Sequence, residues 1–352
     1  MAAPASEIDA LPSGKRRVGW IDIARGIGIT LIIIGHLGII QPLVEIAFSV
    51  HVPLFLLVSG YLVKPDRTGA AGYYARRLLI PYCVAGIIGV LAMTVRAWLE
   101  GGVEQASGAL VEWLAALAFG SGTRSSFFLG IHQIGSIWFL LALFLSQLAY
   151  EAICGKPYAW PVVIALFALG YLTAPFIWLP WSIQSACVFL LFIHIGHEAR
   201  ERGFDPAQLG PVPVAIAFAI WIAAIAIDRG TMFLVYCYFA CLPIDLAGAI
   251  AGTVAICWAS SAIDRFEPLA VPLRFMGRNS LAILCFHFIE CRIFSWLTIA
   301  SSLGLGQGKK AFAAIMAAKL AWSNTLAFVC TRVPLLAMLF GAAPVRRRSD
   351  GR

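Results

Sequence analysis

Ile27-Gly28-Ile29-Thr30-Leu31-Ile32-Ile33-Ile34-Gly35-His36-Leu37-Gly38-Ile39-Ile40 is the stretch that decides the fold. It is apolar on every side, so it has neither the period-two alternation of a barrel strand nor the polar face of a surface helix. With Trp20 and Ile21 at its start it is long enough to cross a bilayer as a helix. The composition around it agrees. The chain has 352 residues, of which 61% are hydrophobic and only 12% charged, with a mean hydropathy of +0.86. Disorder, collagen, coiled coil and a soluble multidomain chain are excluded by those figures. The basic Lys15-Arg16-Arg17 run before the first apolar segment resembles a signal peptide. No small-residue cleavage site follows, so the segment reads as a retained span.

Apolar runs between charged or Pro/Gly-rich breaks predict spans near 20–40, 46–63, 78–98, 134–153, 159–176, 182–197, 211–227, 244–262, 279–299 and 320–340. The expected fold is therefore an all-α polytopic membrane bundle of about ten helices. The net charge of +8 does not call for a nucleic-acid partner, because Lys and Arg collect in alternate loops. One set of loops holds Lys64, Arg67, Arg76, Arg77, Lys156, Arg200, Arg202, Arg265, Arg274, Arg278 and the Arg346-Arg347-Arg348 tail. The other holds Arg96, Arg124, Arg229, Lys309 and Lys310. This asymmetry puts both termini in the cytoplasm, with tails at 1–16 and 342–352 flanking a membrane domain at 17–341. Three shorter apolar stretches, 109–120, 231–242 and 311–319, are expected to lie in the outer interface or to re-enter and roof a cavity. The nine cysteines lie mostly inside apolar stretches, with no C-x-x-C pair, and read as small core residues.

An ionisable group inside a span is costly unless paired or wet, so each is a functional candidate. The first span carries Asp22, Arg25 and His36. Arg25 and His36, eleven residues apart, share one helix face within about 20° and stand about 16 Å apart along the axis. Asp22, three residues before Arg25, can pair with it or anchor the helix end. His51 on the second span falls at the depth of His36, so the pair marks a wet, outward-leaning cavity with a base available near neutral pH. The competing reading is two core histidines bonded to backbone carbonyls. The ninth predicted span has His287, Glu290 and Arg292; His287 and Glu290 lie on one face and fit a proton relay, a buttress or a direct catalytic role. His194 and His197 form an H-x-x-H at a span end with no carboxylate at ligand spacing, which makes a poor metal site. No metal is expected.

Several strings then resemble one family. Trp20-Ile21-Asp22-Ile23-Ala24-Arg25-Gly26 followed by Gly35-His36 matches the Arg-x10-His signature of the membrane-bound acyltransferase-3 family. His51-Val52-Pro53-Leu54-Phe55 with Ser59-Gly60-Tyr61, Ile137-Trp138-Phe139-Leu140, and Gly277-Arg278-Asn279-Ser280 with His287 are similar to further family motifs, and within the family to the fucose 4-O-acetylase-like branch. The resemblance runs from about 17 to 340. Two features depart from the pattern: Arg76-Arg77 is followed by Leu78-Leu79-Ile80-Pro81 instead of an R-x-x-R pair, and no fused esterase-like domain is present, so a second acyl-relay step calls for a partner protein.

The resemblance implies a multi-pass inner- or plasma-membrane enzyme moving an acyl group, usually acetyl, from cytoplasmic acetyl-CoA or another acyl-CoA to a hydroxyl of an extracytoplasmic or lipid-linked glycan. Acyl-CoA is then a co-substrate, and no permanently bound cofactor is implied. His36, His51 and Asp22 are the catalytic candidates, with His36 as general base and His51 orienting the acceptor or stabilising an oxyanion. Arg25, Arg76, Arg77, Ser59 and Tyr61 are candidates for the acyl-CoA site, and Trp138, Asn279, His287 and Glu290 for acceptor binding or support. Trp113, Trp138, Trp178 and Trp181 suit stacking on a sugar, although indoles collect at any membrane interface. A proton-coupled transporter or a non-catalytic polysaccharide-export partner remain the alternatives, and His36→Ala separates them from an enzyme.

Overall fold

The computed structural model describes residues 18–64, 69–123, 130–229, 232–306 and 308–343. The basic Lys15–Arg17 run, Arg67, Arg124, the Arg346–Arg348 run, the 1–16 tail and all but the first two residues of the 342–352 tail lie outside them. The described chain is helical. In order it forms α1 (Gly19–Leu37), α2 (Gln41–Tyr61), α3 (Ala70–Tyr74), α4 (Ile80–Phe119), α5 (Trp138–Ile153), α6 (Ala159–Thr173) and α7 (Ile183–Glu201). There follow α8 (Pro211–Asp228), α9 (Leu242–Ile263), α10 (Glu267–Arg278), α11 (Ser280–Ile293), α12 (Trp296–Ser302), α13 (Lys309–Arg332) and α14 (Pro334–Phe340). A π-helical turn over Ala75–Leu79 joins α3 to α4.

Seven helical runs among the described residues are long and apolar enough to cross a membrane, or eight if α10 and α11, bent by 74°, make one span. The protein is thus a multi-pass membrane protein. Helices α5 and α6, at 16 and 15 residues, are shorter than the predicted spans they replace. Gly135, at φ 90°, holds the chain in the left-handed region just before α5, and α6 gives way to a turn after Thr173, with Pro175 two residues on.

Two other expectations are corrected. Residues 311–319 are the first part of the 24-residue α13 and not a short interfacial piece; the helix ends at Arg332 because Pro334 follows Val333, so no single helix runs over 320–340. Residues 109–120 belong to the second limb of α4, which bends at Gly101 and Gly102, where Gly102 has φ 75°. The segment around 231–242 contains an isolated antiparallel bridge between Phe233 and Tyr238.

Helices α1 and α2 form the centre. Helix α1 packs on α2, α9 and α10, and α2 packs on α7 and α9. Glycines permit the closest crossings: a Cβ on Gly60 would overlap the carbonyl oxygen of Ile193, and one on Gly196 that of Leu57, so α2 and α7 meet backbone to backbone. The same device joins α1 to α10, where Gly277 abuts the Asp22 carbonyl and Gly26 that of Leu273. Helices α8 and α13 lie at the rim, with only 22% and 28% of their apolar windows buried.

Candidate active site

The common face of α1 predicted from spacing lines a chain of cavities. At its basic end an open mouth of about 650 Å³ is lined by Arg76, Arg77 and Arg278 with Gly69, Tyr73 and the start of the carboxyl-terminal segment. Tyr73 and Arg77 are shared with a narrower chamber of about 130 Å³, whose wall includes Arg25, Ile29, Ile32, Ser59, Gln147 and Ser280. Ile32, Phe55, Phe139 and Leu284 separate it from a second chamber of about 80 Å³. His36, His51, Phe48, Ser136, Trp138 and the Met232–Val235 segment line that one. Arg25, Ile29, Ile32 and His36, spaced by four, three and four residues, therefore run along one wall from cation to imidazole.

Each histidine is held by its own helix. His36 Nδ1 lies 2.7 Å from the Ile32 carbonyl oxygen, and His51 Nδ1 is bonded to the Ala47 carbonyl oxygen. A carbonyl can only accept, so both Nδ1 atoms carry the proton and both Nε2 atoms of the neutral rings present a lone pair. Phe48 sits between them, with ring centres 6.4 Å from His36 and 5.1 Å from His51. The backbone-carbonyl bonds of the competing reading are therefore present, and they select the tautomer that a base would need.

Behind His36 is a fully buried polar group. The His287 ring stands edge to face with His36 at 5.3 Å, and its Nδ1 is 2.8 Å from Glu290 Oε1. The same carboxylate oxygen receives Lys319 from α13 at 2.7 Å. His287, Glu290 and Lys319 are 1%, 0% and 3% exposed. Lys319 is not among the candidates of the sequence, where it ends the 311–319 stretch expected at the interface; its one signal is a lone lysine in an apolar run. Cys291 completes a His/Glu/Cys trio whose donor atoms lie within 4.8 Å of one another. That trio does not fit a metal, since the Lys319 ammonium is already 3.4 Å from Cys291 Sγ as well as on Glu290.

The remaining candidates divide. Ser59 and Arg77 join Arg25 at the chamber of about 130 Å³, whereas Arg76 reaches only the mouth. Arg25 donates to Ser280 Oγ at 3.0 Å, and Arg77 donates to the Tyr73 hydroxyl at 2.7 Å. Tyr61 is elsewhere: its hydroxyl donates to the Phe204 carbonyl at 2.9 Å and it faces a separate apolar pocket with Trp20 and Cys257. The ion pair expected between Asp22 and Arg25 is instead one between Asp22 and Arg278, at 2.8 Å. Asp22 is buried and lies about 21 Å along α1 from His36, so it is not brought to the histidines; it ties α1 to the end of α10. Asn279 sits at the bend between α10 and α11, donating to the Phe275 carbonyl at 2.9 Å and accepting from the Ala343 amide at 3.0 Å.

Among the indoles, Trp138 lines the histidine chamber. Trp113 is covered by the Arg292 guanidinium 4.3 Å from its ring centre, Trp178 is buried, and Trp181 donates to the Ala118 carbonyl at 3.0 Å. His194 and His197 are buried against Tyr150 and Cys154, at 2.8 and 3.5 Å, and not in the water expected at a span end.

Compared with known proteins, the chain matches no curated protein and no solved structure. The acyltransferase domain model of the acyltransferase-3 family matches residues 18–341, which takes in both chambers, the mouth and every histidine of the site. On that match the chain belongs to the acyltransferase-3 family, and the protein is a membrane acyltransferase.

Proposed function

We propose that the protein transfers acetyl from cytoplasmic acetyl-CoA to a sugar hydroxyl of an extracytoplasmic or lipid-linked glycan, as in the fucose 4-O-acetylase-like branch of the family. One observation carries this reading: a single run of cavities leads from three arginines at the mouth, past Arg25, to an imidazole pair. An anionic nucleotide suits the Arg76, Arg77 and Arg278 mouth, where guanidinium forks match phosphate oxygens. The apolar middle suits a pantetheine arm. The chamber beyond it admits an acetyl group and a few waters at about 80 Å³, so a sugar has to enter from the far side, past the Met232–Val235 segment.

In the reaction His36 Nε2 takes the proton of the acceptor hydroxyl as its oxygen attacks the thioester carbonyl. The tetrahedral intermediate collapses with cleavage of the carbon–sulfur bond, and the imidazolium returns its proton to sulfur, giving acetyl ester and free thiol. A neutral His51, with Nδ1–H committed to Ala47, accepts at Nε2 and so suits orienting the acceptor through a neighbouring hydroxyl of the sugar, since the one proton of the attacking hydroxyl goes to His36. Donors for the oxyanion are available in the Ser136 hydroxyl and the Trp138 indole of the chamber wall. Under this reading the basic end of the bundle, with both termini, faces the cytoplasm.

The test is transfer of radiolabelled acetyl from acetyl-CoA by membranes containing wild type or His36→Ala protein, against endogenous glycans. Label in glycan with wild type alone supports the reading and identifies the acceptor class. Equal transfer by both proteins rejects His36 as base, and transfer by neither rejects acetyl-CoA or the glycan.

A further inference from the structure

His36 and His287 are neighbours that can spoil each other. Each imidazole has one nitrogen committed to a local acceptor and one Nε2 left over, and the rings are 5.3 Å apart. His287 Nε2 is buried and has no hydrogen-bond partner among the described residues. A histidine in the other tautomer, with the proton on Nε2, would turn a donor into the contact between the two edge-to-face rings, where capping of the His36 lone pair would occupy the atom that has to take the substrate's proton.

What prevents this is Glu290. An ionised carboxylate has no proton to give, so it can only receive from His287 Nδ1, and the Nδ1–H tautomer follows. A protonated Glu290, or an amide, can donate as well as accept and leaves the tautomer open. The carboxylate is in turn held by Lys319, whose ammonium shares the same oxygen and comes from a different helix. With both charges buried, the pair compensates desolvation that neither tolerates alone. Trp296, with its ring centre 5.6 Å from the ammonium, closes the far side of Lys319.

We infer that Lys319 is a positioning residue for acyl transfer: through Glu290 it fixes the tautomer of His287 and so leaves His36 Nε2 unencumbered. The inference rests on the acyl-transfer reading for its kinetics. The mechanism assigns Lys319 no contact with donor or acceptor, and it lines neither chamber.

The variants are Lys319→Met, Lys319→Arg and the double Glu290→Gln/Lys319→Met, purified in detergent and reconstituted in liposomes. The single Met variant strands a buried carboxylate and is expected to fold poorly. The double variant removes both charges together and is expected to keep the wild-type melting temperature. It lowers kcat about tenfold, the cost of freeing Nε2 from a hydrogen bond of ~1.4 kcal/mol, while KM for acetyl-CoA stays within about twofold. Lys319→Arg, which keeps the cation, retains most of kcat. A double variant that folds and keeps full kcat overturns the inference, since a purely structural ion pair predicts that result.

A second readout does not depend on the substrate. Diethyl pyrocarbonate acylates an unprotonated, accessible imidazole nitrogen, and the His36 ring is open to its chamber. Its rate of modification, followed by peptide mass spectrometry, is expected to fall about tenfold in the double variant, as a hydrogen bond worth ~1.4 kcal/mol caps Nε2. An unchanged rate overturns the inference even where acetyl-CoA proves to be the wrong donor. A lowered rate without any acetyl transfer by wild type sustains it and rejects the acetyl-CoA reading alone.

Discussion

A histidine inside a membrane bundle has two nitrogens to satisfy, and at His36 and His51 the helix takes the first. Bonds from Nδ1 to the Ile32 and Ala47 carbonyls, each four residues back, cost no partner from elsewhere in the fold. Arg25 is the other residue whose role follows from its place, and a charge-assisted hydrogen bond of ~1.5–3 kcal/mol to a donor phosphate or carbonyl converts to a prediction. Arg25→Ala should raise KM for acetyl-CoA about 10- to 100-fold, with KM for the acceptor little changed; steady-state kinetics with each substrate varied in turn checks it, and an equal rise in both would mean a folding role. Tyr61→Phe is the companion, expected to leave KM for acetyl-CoA within about twofold, because that hydroxyl is spent on Phe204. The common face of Arg25 and His36 was legible in the sequence because helical periodicity is local arithmetic. The pairing of His287 with Glu290 was legible for the same reason, but the partners on other helices were not: Arg278 is 256 residues from Asp22 and Lys319 is 29 from Glu290, and no spacing rule reaches across helices.

At the scale of elements, the apolar runs showed where helices form but not where they break. The Val333-Pro334 step interrupts a stretch whose hydropathy alone is continuous, because hydropathy reports burial while backbone geometry decides continuity. Glycines that looked like motif decoration turn out to set crossing distances. Gly60→Ala places a methyl onto the Ile193 carbonyl, and since backbone cannot swing aside the α2–α7 seam must open. The expected cost is about 1–3 kcal/mol, read as a lowered melting temperature in detergent. Gly72→Ala in α3, where nothing lies within 4 Å, should leave it level or slightly raised. If both variants melt alike, the seam is not set by the glycine.

For the whole molecule the decisive question is direction, because the cavities run between two chemically different ends. The arginine mouth gathers Arg76, Arg77 and Arg278, and the excess of Lys and Arg predicted for the loops on that side makes the cytoplasm its expected side. The histidine chamber lies toward the loop between α12 and α13, since α1 and α11 both run from the basic end to the histidines. Sidedness and site are therefore one prediction. A cysteine at Gly72, on the rim of the mouth, should react with a membrane-impermeant maleimide only in inside-out vesicles, whereas one at the exposed Ser301 should react only in right-side-out vesicles. Acetyl-CoA added to the inside-out vesicles should slow labelling of the first cysteine, because the nucleotide covers the arginines, and leave the second untouched. Labelling of both from one side would break the topology, and labelling of the first unaffected by acetyl-CoA would separate a correct topology from a wrong donor site. Under the proposed function donor and acceptor approach from opposite sides, which needs a path too narrow for either to cross, and Ile32, Phe55, Phe139 and Leu284, shared by the two chambers, are where such a narrowing falls.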